Sequence, residues 1–275
     1  MEDILLPSKI ELTPGEDDRT ATLVVEPCFH GYGTTLGNAL RRVMLSSLPG
    51  AAVTAVKIKG ASHEFSGVPG VKEDVLELVL NLKALRMRVF TDEPVRLMLR
   101  AKGDTLVTAA DIEKTSDVEI VNPDLHIATL TDKKAEIEME IFVQKGRGYL
   151  PVEERSKEKM ELGVMAVDAV FSPVRDVGYR VENVRVGQIT NFDKLVMTIE
   201  TDGTTTPDAA VDQSVKILLD HFNLLMTRGA STEGSSMEEA PAAEVTETVS
   251  DEAASEEAPA DDESKPAKKS SKKKK

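Results

Sequence analysis

Cysteine is almost absent: Cys28 is the only one in 275 residues, so no intrachain disulfide framework exists and a reducing compartment fits. Tryptophan is missing altogether. No apolar run approaches the roughly 20 residues needed to span a bilayer. The opening "MEDILLPSKIEL" is acidic and lacks an apolar leader core, so neither a signal peptide nor a membrane anchor is expected, and the chain reads as cytoplasmic. Positive charge is outnumbered, with 34 Lys and Arg against 48 Asp and Glu. A net charge of -14 argues against wrapping nucleic acid, because phosphate binding rests on Lys and Arg.

Chemistry-bearing constellations are likewise missing. Histidines 30, 63, 126 and 221 are scattered, and Cys28 with His30 forms only C-x-H, far short of a zinc site. No nucleophile elbow appears, and no Asp-rich loop of the kind that holds two cations for nucleotidyl transfer. The glycines of "TLVVEPCFHGYGTTLGNALRR" give G-x-G-x-x-x-G, one residue longer than a dinucleotide-binding turn, and the segments that follow look like antiparallel meanders. These glycines are expected to form a tight turn into a helix. No catalytic residue, cofactor site or metal ligand is assigned.

What is present begins with ordinary globular composition, 40% hydrophobic, on a chain long enough for one large or two modest cores. The acidity is unevenly placed. Gly229 to Glu263 holds 12 acidic residues and no Lys or Arg, and "SKPAKKSSKKKK" then adds 7 lysines. Residues 229–275 cannot build a core and are expected to be disordered. Before them, "ATLVVE", "AAVTAVKIKG", "PVRLMLRAK", "AEIEMEIFVQKG", "GYRVENVRVGQ" and "KLVMTIETDG" read as strands bounded by Pro, Gly and Asp.

Three helices stand out. "TTLGNALRRVMLSSLPG" places Leu36, Ala39, Leu40, Val43 and Met44 on one apolar arc, with Thr34 or Thr35 as the expected N-cap. Arg41 and Arg42 fall outside the arc with Leu45 projecting between them, which is either a solvated edge or an interaction face. "GVKEDVLELVLNLKAL" is apolar at Val71, Val75, Leu78, Val79 and Leu82, with Glu73 and Asp74 at its positive end. The third follows "TDGTTTP", where Thr206 caps and Pro207 opens the helix. Its Val211, Val215, Leu218, Phe222 and Leu225 step by 4, 3, 4 and 3 residues, a coiled-coil spacing, while Ala210, Ile217 and Leu224 form a second stripe. Both stripes can face one chain's core, or one of them a second copy of the chain. "QKGRGYLP" is a glycine-punctuated basic patch, either a hairpin or loop exit or a segment that touches phosphate or a partner surface.

The segments "GYGTTLGNALRRVMLSSLPG", "VTAVKIKGASHEFSGVPGVKEDVLELVLNLK", "VTAADI", "VEIVNPD", "QKGRGYLP", "FSPV" and "VENVRVGQITNFDKLVMTIETDGTTTPDAAV" resemble, in the same order, the N-terminal region of the alpha-subunit family of bacterial RNA polymerase. The resemblance covers essentially residues 1–228. It implies an α+β fold: a dimerisation subdomain of residues 1–48 and 168–228, with two long helices on an antiparallel sheet, and a mainly β insert of residues 49–167. It implies a homodimeric, non-catalytic scaffold on which the beta and beta-prime subunits assemble. Magnesium and zinc would belong to those large subunits, and DNA would be met only through the complete enzyme. Carried over by position, Arg41, Arg42 and Leu45 would face beta, and Lys83 and Lys194 would lie on the beta-prime side. Tyr32, Leu36, Leu40, Val215, Leu218, Phe222 and Leu225 would form the dimer contact. The family typically continues into a small helical C-terminal domain that binds upstream DNA and activators; the lysine run offers no apolar periodicity for one, so that domain is not expected here.

Overall fold

The computed structural model describes residues 4–155, 161 and 163–227, and the expected disordered stretch at 229–275 lies outside them. In chain order the first half comprises β1 (Lys9–Pro14), β2 (Thr20–Cys28), α1 (Tyr32–Ser46), β3 (Pro49–Ile58), α2 (Val75–Lys83), β4 (Met87–Val89), β5 (Val95–Lys102), β6 (Leu106–Thr108) and β7 (Val118–Ile120). The second comprises β8 (His126–Thr129), β9 (Glu136–Arg147), β10 (Tyr149–Leu150), β11 (Val164–Ala166), β12 (Ala169–Val170), β13 (Val174–Val186), β14 (Ile189–Thr201) and α3 (Pro207–Thr227). The fold is α+β with antiparallel sheets and few helices, as the strand-rich patterning implied.

Two four-stranded sheets organise it. One has the order β11-β3-β9-β5, the other β1-β2-β14-β13, and three two-stranded ladders complete the strands. Period-two alternation sets the faces. On β9, Ile137, Met139, Ile141 and Val143 point inward, while Glu136, Glu138 and Glu140 point out. Beneath that sheet lies the larger core, where Val56, Ile58, Leu97 and Leu99 meet Leu78 and Leu82 of α2. The smaller core joins Leu23 and Val25 of β2 with Leu195, Met197 and Ile199 of β14, and α1 and α3 contribute Leu40, Met44 and Ala210.

α2 begins later than its apolar periodicity suggested. Asp74 is the N-cap, its Oδ1 accepting the Glu77 N–H at 2.7 Å. Glu73 therefore stands outside the helix and turns inward. Its carboxylate accepts from the Thr129 N–H at 2.7 Å and Thr129 Oγ1 at 2.8 Å, with His126 Nε2 at 3.1 Å. Burial pushes this carboxyl up, but the Thr129 and His126 bonds outweigh it and hold it below the ordinary carboxylate range.

The "QKGRGYLP" patch ends a strand pair rather than forming an open basic loop. Gly146 lies opposite Gly50 across β9 and β3, and a Cβ on Gly146 would come 2.6 Å from the Phe171 ring. Two facing glycines thus let Phe171 lie flat on the sheet. Gly148, at φ 64°, makes the turn into β10.

Candidate functional site

The seat of α1 is built from its glycines. Only Gly31, at φ 86°, belongs to the turn. Gly33 and Gly37 lie inside the helix and are buried against the sheet: a Cβ on Gly37 would sit 2.7 Å from Tyr179 Cδ2 and 2.9 Å from Leu195 Cδ1. The buried stripe is therefore Gly33, Gly37, Leu40 and Met44. A reading by hydrophobic bulk misses this, because the closest approach of backbone to sheet is made by the residues with no side chain.

With that stripe facing inward, helical spacing of about 100° per residue distributes the rest. Leu36, Ala39 and Val43 occupy one flank, Arg41 and Leu45 the other, and Arg42 the outer crest. Leu36 is exposed, and Ala39 and Val43 are half-buried. Both arginines are exposed, and neither makes an ion pair with a described residue. Leu45 is less free than its sequence position implied, since it is half-buried against the smaller core. Leu40, read as a dimer contact, is 8% exposed and is used by the chain's own core. Tyr32 is exposed, edge-to-face with Phe29 at 6.2 Å.

Neither Thr34 nor Thr35 caps the helix. Asp193, 160 residues further on, does so from β14: its Oδ2 accepts from the Gly31 N–H at 2.9 Å and the Gly33 N–H at 3.1 Å. A buried carboxylate at a helix N-terminus satisfies two orphan donors and meets the positive end of the dipole. Sequence reasoning overlooked this role. The available signal was a lone acid within the apolar run "NFDKLVMTI".

α3 opens as expected, with Thr206 Oγ1 accepting the Ala209 N–H at 3.3 Å and Pro207 in first place. Pro207, Ala210 and Ser214 are buried, and Val211, Ile217 and Leu218 are half-buried against the smaller core. The Ser214 hydroxyl donates to the Ala210 carbonyl at 2.7 Å, which is how a polar side chain is tolerated there. From Leu219 onward nothing is covered. Phe222 is 56% exposed, Leu224 70%, Leu225 60% and Met226 82%. Val215, read into the same seam, is exposed as well.

The two lysines stand on different elements with different partners. Lys83, in the last turn of α2, reaches Asp168 Oδ2 at 3.1 Å and lies 6.0 Å from the Tyr149 ring centre. Asp168 Oδ1 also accepts the Val152 N–H at 3.0 Å, and that bond, with Lys83, holds its carboxyl below the usual range. Lys194 on β14 is 3.4 Å from Glu26, which Lys9 approaches at 3.5 Å. No group of three His, Cys, Asp or Glu able to hold a metal occurs among the described residues.

Comparison with known proteins gives the family of the chain. Residues 56–172 match the family described as RNA polymerase Rpb3/RpoA insert domain. DNA-directed RNA polymerase subunit alpha of Alkaliphilus oremlandii is 51% identical over 220 residues, covering 80% of this chain and 69% of the relative. The chain belongs to the alpha-subunit family of bacterial DNA-directed RNA polymerase. Within the family, the subunit of Symbiobacterium thermophilum is 53% identical over 212 residues, 77% of this chain and 67% of the relative. That of Oceanobacillus iheyensis is 49% identical over 219 residues, 79% and 69%. No helix among the described residues is long and apolar enough to cross a membrane.

Proposed function

We propose that this chain is a homodimeric, non-catalytic scaffold on which the beta and beta-prime subunits of a bacterial RNA polymerase assemble in the cytoplasm. The observation that carries the reading is the end of α3, where Leu219, Phe222, Leu224, Leu225 and Met226 stand exposed within eight residues. Each such side chain buried in a partner contributes about 1.5–3 kcal/mol, so one helix end supplies a strong drive to associate. The dimer forms between α3 and the Leu36 flank of α1 with their counterparts, Tyr32 at its edge and Val215, Leu218, Phe222 and Leu225 along its seam.

On this reading residues 1–48 and 168–228 form the dimerisation subdomain, with α1 and α3 on its sheet, and residues 49–167 form the insert. Arg41 and Arg42 carry guanidinium forks that no described carboxylate occupies, which suits bidentate pairing with acids on beta, and the exposed part of Leu45 adds an apolar contact. Lys83 and Lys194 lie on the beta-prime side. Magnesium, zinc and the chemistry of nucleotidyl transfer belong to the large subunits, and DNA is met only through the assembled enzyme.

Light scattering on the full chain, alone and then with beta subunit, tests this. The expected mass is twice 29.9 kDa, rising by one beta subunit on mixing. Arg42→Ala should keep the dimer and lose the capture of beta. A monomer indifferent to beta would overturn the scaffold reading.

A further inference from the structure

The larger core carries a cleft lined by none of the residues assigned above to the dimer, beta or beta-prime contacts. Its volume is about 520 Å3, within the roughly 300–1,000 Å3 of pockets that take small organic ligands. Leu97, Ile112 and Val118 form a buried apolar floor, and Phe90, just past β4, stands 62% exposed at the rim. An aromatic ring left open beside an apolar floor is a surface with affinity to spare.

Charge decides what fits there. Three ionic side chains line the cleft: Glu113, Lys114 and Glu119. Glu113 is paired with Arg100 at 3.4 Å and Glu119 with Arg88 at 3.1 Å. The Lys114 ammonium has no ion-pair partner among the described residues, and the Thr115 hydroxyl beside it makes no hydrogen bond with them. The lining thus combines an apolar floor with one uncompensated cation and a free hydroxyl donor.

We propose that this cleft binds a small aromatic or branched aliphatic carboxylate. Its apolar part rests on Phe90 and Ile112, and its carboxylate accepts from Lys114 Nζ and Thr115 Oγ1. Charge-assisted hydrogen bonds are the stronger kind, and the two glutamates do not repel the ligand because their own charges are offset.

The test is backbone-amide NMR on the full chain, titrated with 3-phenylpropionate and with its neutral amide. Expected are shifts at Phe90, Lys114 and Thr115, tighter binding of the acid, and a loss of about two- to five-fold for the acid alone in Lys114→Gln, the range of an exposed ion pair. Ala110→Trp, at an exposed position lining the cleft, should abolish both. Three results would overturn the assignment: shifts confined to the exposed end of α3, equal binding of acid and amide, or an unchanged Lys114→Gln. Neither variant alters a residue assigned to the dimer or beta contact, so dimer mass and beta capture, measured on the same variants, are expected to stay unchanged and keep this outcome separate from that of the scaffold reading.

Discussion

Among the described residues the larger core buries 27 hydrophobic side chains and the smaller one 12. The sheet over the larger core carries a charged outer face. On the outer face of its sheet Glu136 meets Lys102 at 3.1 Å, Glu138 meets Lys59 at 2.8 Å and Arg100 at 2.9 Å, and Glu140 meets Arg96 at 3.1 Å. Such pairs contribute little stability, but they make the face soluble and leave it without an apolar appeal to a partner. The smaller core is covered by α1 and the first half of α3, and the helix then runs on past what it covers. One region closes the outer face of its main sheet with ion pairs and leaves its exposed apolar residues, such as Leu80, Phe90 and Leu106, scattered over several elements, whereas the other gathers them at one helix end that its own chain does not bury.

That contrast is open to direct attack. Leu82→Ala, at a site with no exposed surface, should cost about 2–5 kcal/mol in denaturant unfolding and leave the oligomeric mass unchanged. Phe222→Asp should do the reverse: little change within one protomer, but conversion to monomers in sedimentation, since the seam would have to bury a charge at several kcal/mol. If Phe222→Asp still sediments as a dimer, the contrast between the two regions loses its meaning.

Smaller effects sharpen the same picture. Asp193→Ala removes the remote cap of α1 and should cost about 0.5–2 kcal/mol, with amide exchange accelerated at Gly31 and Gly33 first. Local loosening of α1 should also weaken beta capture, although Asp193 itself is buried. The smallest effect is a dependence on pH. Glu73 has a folded pKa below its unfolded value, so its contribution is present above the ordinary range near 4.3 and is lost as pH falls through the folded value. Glu73→Gln should therefore flatten the acid limb of the stability profile.

Much of this was legible in the chain because it depends on local periodicity. The six strand segments read from alternation and turn residues correspond to β2, β3, β5, β9, β13 and β14. Thr206 and Pro207 announced the start of α3, and the spacing of Val211 to Leu225 announced a helix with two apolar stripes, without deciding whether its own chain covers both. β4, β6, β7, β10 and β12 were not legible, because each holds only two or three residues, too few to show a period. Arg41 and Arg42 were readable as exposed from helical geometry alone, and Lys83 and Lys194 drew notice only through the family resemblance.

The sequence by itself determined six of the strands and the three helices, where α3 begins, the absence of an intrachain disulfide, and membership of the alpha-subunit family through ordered motifs. Only the tertiary structure decided which face each helix turns inward. α1 is rotated onto Gly33 and Gly37 because close approach to Tyr179 and Leu195 gains contact that larger side chains would prevent. Its cap comes from Asp193 because sheet pairing brings β14 beside β2 and places that carboxylate under the helix end. α3 divides into a part covered through Leu218 and an open part from Leu219 onward, a boundary set by packing between distant segments.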